Sequence, residues 1–202
     1  MSDMYFPSST MTGAGWEAMW APYDERAYQA VLSQIQSEDI VLDIGAGDLR
    51  LTRQIAEISR KVYAIEKQKE LVKKARAALA GNLQKKLIII EADARSLAFP
   101  PEVTTAVLLM RHCRHFALYA SKLRANGCQR LITNARWRFE PEVIDLLAKR
   151  MPFSELTLGW YACICGAASF KAGPIELLTP EIDATIFEVE NCPACPDAVA
   201  AI

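Results

Sequence analysis

No apolar run in this sequence approaches the roughly 20 residues that a membrane-crossing helix needs, so a segment of that kind is excluded. The opening residues, M-S-D-M-Y-F-P-S-S-T, have neither a basic patch nor an apolar core. That argues against a secretory leader and for a cytoplasmic location with reduced thiols. Internal repeats and low-complexity stretches are lacking too. Acid is missing between Glu102 and Glu140, where Arg111, Arg114, Lys122, Arg124, Arg130, Arg136 and Arg138 stand. Base is missing after Lys171, where Glu176, Glu181, Asp183, Glu188, Glu190 and Asp197 stand. Such asymmetry has two readings: a basic surface for an anionic partner, or basic and acidic elements that pair within the fold. Histidine is scarce, with His112 and His115 alone. What remains is 202 residues, 51% hydrophobic and 23% charged with a net charge of −1, enough for one domain with a substantial core.

The stretch D-I-V-L-D-I-G-A-G-D-L-R-L-T, residues 39–52, organises the rest. Residues 40–44 form a short apolar run with one carboxylate, Asp43, as buried parallel strands do. Gly45 and Gly47 then permit a tight turn and a close approach of backbone to a ligand. From Leu49 a helical period begins (Leu51, Ile55, Ile58), so the turn opens a helix whose first N–H groups face that ligand. Residues 62–65 read as a second strand with Glu66 at its end, nineteen residues after Gly47. Dinucleotide-type folds place a carboxylate there, on ribose hydroxyls. Two cofactor classes fit this layout, a nicotinamide dinucleotide and S-adenosylmethionine. The pyrophosphate of the first needs a third glycine where this chain has Arg50. Asp43 also repels phosphate while suiting an ammonium. S-Adenosylmethionine carries an ammonium, a sulfonium and a ribose without phosphate, and is favoured. A third strand at 87–90, followed by Glu91, Ala92, Asp93 and Ala94, agrees.

In this order V-L-D-I-G-A-G-D-L-R-L-T, A-I-E and I-E-A-D-A resemble the class I S-adenosylmethionine-dependent methyltransferases, over residues 39–110. Within them the likeness is greatest to the ribosomal RNA adenine dimethylase branch. The resemblance implies a Rossmann-like α/β fold, a mostly parallel seven-stranded sheet with an antiparallel C-terminal hairpin. It implies that Gly45 and Gly47 meet the methionine part of the cofactor, Glu66 the ribose, and Asp93 with Ala94 the adenine amino group. Asp43, Ala46, Lys67 and Arg111 complete the expected cofactor-facing set. For Glu66 and Asp93 the plainer reading is a carboxylate at a helix N-terminus, favoured by the dipole. An N-terminal lid and helix, residues 1–38, should precede a methyltransferase domain at 39–202 within one structural domain. At the fourth strand the family's Asn-Leu/Ile-Pro-Tyr-type motif is replaced by L-L-M-R-H-C-R-H-F, and no helical RNA-binding extension follows. Three functions therefore stand side by side: an active methyltransferase on RNA, a small-molecule methyltransferase, and a cofactor-binding interaction protein whose catalytic motif has decayed.

Strands are expected at 40–44, 62–65, 87–90, 104–110 and 130–133, alternating with helices at 49–58, 68–80 and 116–125. That alternation implies a parallel sheet. Pro141 in a first-turn position suggests a helix over 141–150. Segments 155–170 and 184–189 read as two strands forming the closing antiparallel pair. Trp16 and Trp20, four apart, read as core or lid packing.

Strand ends in open α/β sheets bring ligands together. His112 and His115 fall at that edge, and either suits proton removal from an acceptor during methyl transfer, a hydrogen-bonding role in a loop being the plainer alternative. Arg111, Arg114, Arg136 and Arg138 suit an anionic acceptor, RNA or a small phosphorylated or carboxylated metabolite, with Phe116 and Trp137 as stacking surfaces. Cys163 and Cys165 lie two apart in a strand, on one face, and Cys192-Pro-Ala-Cys195 forms a short knuckle. A terminal hairpin that joins the pairs makes a four-cysteine zinc site. Free buried thiols and a redox pair at Cys192 and Cys195 are the other readings. Cys113 and Cys128 stand alone and read as packing residues.

Overall fold

The computed structural model describes residues 25–77, 79, 83–111, 113–137 and 140–195. His112, Arg138, Trp16 and Trp20 lie outside the described residues. The chain runs α1 (Glu25–Leu32), β1 (Ile40–Ile44), α2 (Arg50–Ile58), β2 (Lys61–Glu66), α3 (Lys69–Ala77), α4 (Leu83–Lys86) and β3 (Leu87–Glu91). It continues through β4 (Thr105–Leu108), α5 (Phe116–Ala125), β5 (Arg130–Thr133) and β6 (Glu142–Asp145). β1 to β5 are parallel in the order β3-β2-β1-β4-β5, and β6 adds antiparallel beside β5.

Alternate residues of the central strands feed two cores, as a period of two requires. Leu42, Ile44, Tyr63, Ile65, Ala106, Leu108 and Leu131 belong to one, closed by Phe116, Tyr119, Ala120 and Leu123 of α5. Val41, Val62, Ala64, Val107 and Ile132 belong to the other, closed by Tyr28 and Val31 of α1 and by Leu51, Ile55 and Ala56 of α2. Each fully buried side chain of this size contributes about 1.5–3 kcal/mol, so the two-sided burial of β1, β2 and β4 fixes the sheet. The order reverses at β1: the chain proceeds outward through β2 and β3, then returns to β1's other side with β4. Open α/β sheets hold their ligands at such a switch point.

Two expectations fail here. Residues 142–145 form a strand, not the start of a helix, because pairing with the open edge of β5 outweighs the proline signal. Ile144 points into the first core while Val143 on the opposite face is 42% exposed, a strand's alternation. Nor does the C-terminal portion close the main sheet. β7 (Met151–Pro152), β8 (Gly159–Cys163), β9 (Ala168–Lys171) and β10 (Ile186–Glu190) form a second sheet in the order β7-β10-β8-β9. The main sheet thus has six strands among the described residues rather than seven. The expected antiparallel hairpin exists, but it is β8 with β9 inside the 155–170 segment, turning at Gly166 with φ +100°. β10 runs parallel to β8. A short helix, α6 (Pro180–Ala184), capped by the Thr179 side chain, leads into β10. No described helix is long and apolar enough to cross a membrane.

Candidate functional site

The turn after β1 is built on positive φ angles at Gly45 (+76°), Gly47 (+55°) and the buried Leu49 (+64°). Glycine is required at 45 by its positive φ; a Cβ there would also lie 2.8 Å from Cε of Met110, just past β4, the flexible tip of that side chain. Gly47 is different: nothing lies within 4 Å of where its Cβ would be. It leaves an open cradle. The Gly45 and Ala46 N–H groups both donate to the Ile65 carbonyl, at 2.9 and 3.0 Å, which pins the turn to the end of β2.

The nineteen-residue spacing between Gly47 and Glu66 becomes a direct contact. Gly47 N–H donates to Glu66 Oε2 at 2.9 Å, and Gln68 N–H donates to Oε1 at 2.8 Å. Each oxygen keeps acceptor capacity for a further donor such as a ribose hydroxyl. Asp43, also buried, accepts from Thr52 Oγ1 at 2.5 Å. Burial pushes its pKa up to about 6, the Thr52 hydrogen bond opposing and the Glu66 carboxylate adding to the rise. Two buried carboxylates beside an open glycine turn form an anionic floor that suits a cationic ligand with vicinal hydroxyls. S-Adenosylmethionine fits that donor and acceptor set; a pyrophosphate does not. Arg50, at the position a dinucleotide site gives to glycine, turns onto Asp48, Nε to Oδ2 at 2.7 Å.

Asp93 sits past the end of β3, where Arg95 donates to both its oxygens through Nε and Nη2. These hydrogen bonds, with the Arg95 N–H, hold its pKa down to about 2, Lys67 contributing from nearby. A ligand amino group reaches this carboxylate only in competition with Arg95. The adjoining Ala94 is buried, and Lys122 from α5 donates to the carbonyls of Ala94, Arg95 and Leu97, locking the turn to that helix. Arg111 is half-buried and Arg114 exposed along the connection from β4 to α5.

His115, half-buried, stands at the first cap of α5 without a capping side-chain bond, its ring edge against Tyr119 at 6.4 Å. Its buried Nδ1 has no hydrogen-bond partner. Nearby Cys113 is pushed up to about 11 by burial and is no thiolate nucleophile. Asn134, which the end of β5 supplies to the ligand edge, is fully buried one residue past the strand with neither amide atom hydrogen-bonded.

Arg136 does not face an acceptor. Its guanidinium is buried and doubly bidentate: Nε and Nη2 to Glu142 at 3.0 and 2.6 Å, Nη1 and Nη2 to Glu188 at 3.0 and 2.6 Å. Burial disfavours its charge, yet two carboxylates raise its pKa further above the ordinary guanidinium range. Arg150 adds a contact to Glu188 at 3.5 Å. Here the acid-free and base-free segments pair with each other. Phe116 is likewise 3% exposed, so it offers no stacking surface; Trp137 is half-buried.

The four C-terminal cysteines converge. Sγ of Cys163 and Cys195 are 3.6 Å apart, Cys165 and Cys192 3.6 Å, Cys192 and Cys195 3.8 Å, and all four lie within 4.8 Å of one another. A tetrahedron with zinc–sulfur bonds near 2.3 Å has sulfur–sulfur edges of about 3.8 Å. Cys163 is held below the ordinary thiol range by the Cys165 thiol beside it, and Cys165 correspondingly above it.

A sequence profile described as ribosomal RNA adenine dimethylase matches residues 24–135, more than half of the chain. The chain belongs to the ribosomal RNA adenine dimethylase family. The match includes the glycine turn, Glu66 and Asp93 and stops before the four cysteines. No curated protein matches the sequence. Among solved structures, the chain is similar to a dimethyladenosine transferase from Plasmodium falciparum, with 20% identity, TM-score 0.47, and 55% of this chain and 41% of that one covered. It is similar to the 23S rRNA methyltransferase ErmE, with 24% identity, TM-score 0.47, and 55% and 46% covered. It is also similar to the YcgJ protein of Bacillus subtilis, with 18% identity, TM-score 0.45, and 55% and 50% covered. The chain thus spans about half the length of these proteins. Membership of the family and the strand order together give the class I methyltransferase fold.

Proposed function

We propose that this protein is an S-adenosylmethionine-dependent methyltransferase acting on RNA. The observation that carries the cofactor reading is the Gly47–Glu66 contact over an open turn, with Asp43 buried beneath it. When bound, S-adenosylmethionine supplies an electrophilic methyl group on a sulfonium. The protein's part is to bind and orient. Asp43 faces the ammonium, Gly45, Ala46 and Gly47 line the methionine part, and Glu66 takes the ribose hydroxyls. Asp93 and Ala94, with Lys67 and Arg111 alongside, border the adenine. His115 takes up the proton that the acceptor sheds, at an imidazole nitrogen left without a competing bond. Positioning provides most of the rate. In residues 1–38, α1 precedes the domain at 39–202, and the rest of the expected lid, residues 1–24, lies outside the described residues.

RNA is favoured over a small anionic metabolite by the family itself, whose members it names as RNA-modifying. With Arg136 committed to Glu142 and Glu188, the anion-facing set reduces to Arg111 and Arg114 among the described residues. The four cysteines hold a structural zinc ion. The test is transfer of labelled methyl from S-adenosylmethionine to ribosomal RNA at low and moderate salt. Transfer that weakens steeply with salt supports the proposal, since phosphate contacts release counterions. Cofactor binding without transfer to any RNA or metabolite would leave the decayed interaction protein as the reading.

A further inference from the structure

The second sheet meets the methyltransferase domain at the first turn of α5 and at the loop after β5. Its metal knuckle, residues 163–167, is a tight turn: Gly166 N–H donates to the Cys163 carbonyl at 2.9 Å, and Cys163 N–H to the Ala167 carbonyl at 2.7 Å. At Gly166 the backbone lies against the Phe116 side chain. A Cβ there would be 2.8 Å from Phe116 Cδ1 and 3.2 Å from its Cγ. Ile164 packs both against the core that contains Phe116 and against the core formed by Leu156, Tyr161, Cys163, Val189 and Cys192. Phe116 is the first residue of α5 and follows His115 directly. A second tie runs through Glu188 of β10, held by Arg136 from the β5 loop, one residue before Val189, which pairs with Cys163.

His115 makes no side-chain capping bond to α5 and its Nδ1 has no hydrogen-bond partner; its ring meets the edge of Tyr119, one turn on in the same helix. Its place is thus tied to the first turn of α5, where the 163–167 turn lies against Phe116. We propose that Gly166 and Phe116 are positioning residues through which metal held by Cys163, Cys165, Cys192 and Cys195 sets the β4–α5 connection and His115 for methyl transfer. The inference rests on the methyltransferase and zinc readings and adds a dependence between them. Metal release frees four crowded thiols, the knuckle opens, and Phe116 loses its support. The cofactor cradle is anchored separately, by the Gly45 and Ala46 N–H bonds to Ile65 and the Gly47–Glu66 contact, and keeps its geometry.

Hydrogen exchange on the full-length, zinc-loaded protein tests this. In Gly166→Ala, zinc content should stay at about one per chain while amides at 113–119 exchange at least about tenfold faster, because that segment opens locally. S-Adenosylhomocysteine affinity and exchange at 40–47 should be unchanged, and methyl transfer should fall through kcat. Chelation should reproduce the pattern, and added zinc should reverse it. Phe116→Leu, which shortens the ring while keeping an apolar side chain, gives the same readout should Gly166→Ala not fold. Unchanged exchange at 113–119 on chelation overturns the inference while leaving both earlier readings intact. Absence of bound zinc overturns it together with the zinc reading. Failure to bind S-adenosylhomocysteine with the exchange coupling intact overturns the methyltransferase reading and, with it, the link to methyl transfer, while the metal-dependent ordering of α5's first turn stands.

Discussion

Asp43 gives the cofactor site a pH dependence whose sign and size follow from its surroundings. Its pKa rises from 3.8 to about 6, first because the carboxylate is buried. Two units correspond to about 3 kcal/mol of added cost for the charged form. The folded value exceeds the unfolded one, so the contribution of Asp43 to stability is fully present below pH 3.8 and is lost as the pH rises through about 6. A cationic ligand group reverses this by favouring the anion. S-Adenosylhomocysteine should therefore bind about tenfold more weakly at pH 5 than at pH 7, since only the ionised fraction accepts the ammonium. Asp43→Asn should bind weakly with no pH dependence over this range. Without ligand it should be more stable than wild type at pH 8, by up to about 3 kcal/mol. Calorimetry across pH 5–7.5 and denaturant unfolding at pH 5 and 8 supply both readings. Flat wild-type affinity, or full affinity in Asp43→Asn, would refute the pairing of Asp43 with the ammonium.

Glu66→Ala should lose about 1.5–3 kcal/mol of S-adenosylhomocysteine affinity, the worth of hydrogen bonds to a charged group, and NAD should not compete in the same titration. Arg136→Ala should cost about 1.5–3 kcal/mol in denaturant unfolding, the worth of lost charged hydrogen bonds with the partly exposed Glu142 and Glu188 left facing each other, while cofactor affinity stays unchanged. Asn134→Leu should raise stability by about 1 kcal/mol by removing an unsatisfied buried amide, and should lower methyl transfer if that amide serves the acceptor. A loss of stability instead would show that the amide already has partners.

The sheet was legible because its strands are buried on both faces: I-V-L-D-I, V-Y-A-I and T-A-V-L are near-continuous apolar runs whose spacing leaves room for one helix each. The geometry of the glycine turn at the strand ends was legible for a related reason. Glycine turns and strand-end carboxylates are local in sequence, and the contact of Gly47 with Glu66 only closes what the spacing announced. The convergence of the four cysteines was legible as well, since pairs two and three apart need only one strand and one turn to meet. What was hidden depends on distant partners. E-V-I-D at 142–145 became a strand because β5 had a free edge, and the proline before it carried no information about that edge. Arg136 looked like its neighbours Arg111 and Arg114 until Glu188, fifty-two residues away, was placed against it. Phe116 read as a stacking platform until Gly166 covered it. The parallel pairing of β10 with β8 is likewise set by the packing of the second sheet, which no local pattern encodes.

The most direct measurement is a crystal structure with S-adenosylhomocysteine bound. The ribose hydroxyls should lie within hydrogen-bonding distance, about 2.6–3.2 Å, of the Glu66 carboxylate, with the amino group toward Asp43 and the sulfur facing His115 and the β4–α5 connection. A ligand bound away from the Gly45–Gly47 turn, or a sulfur facing solvent on the far side from His115, would contradict the account.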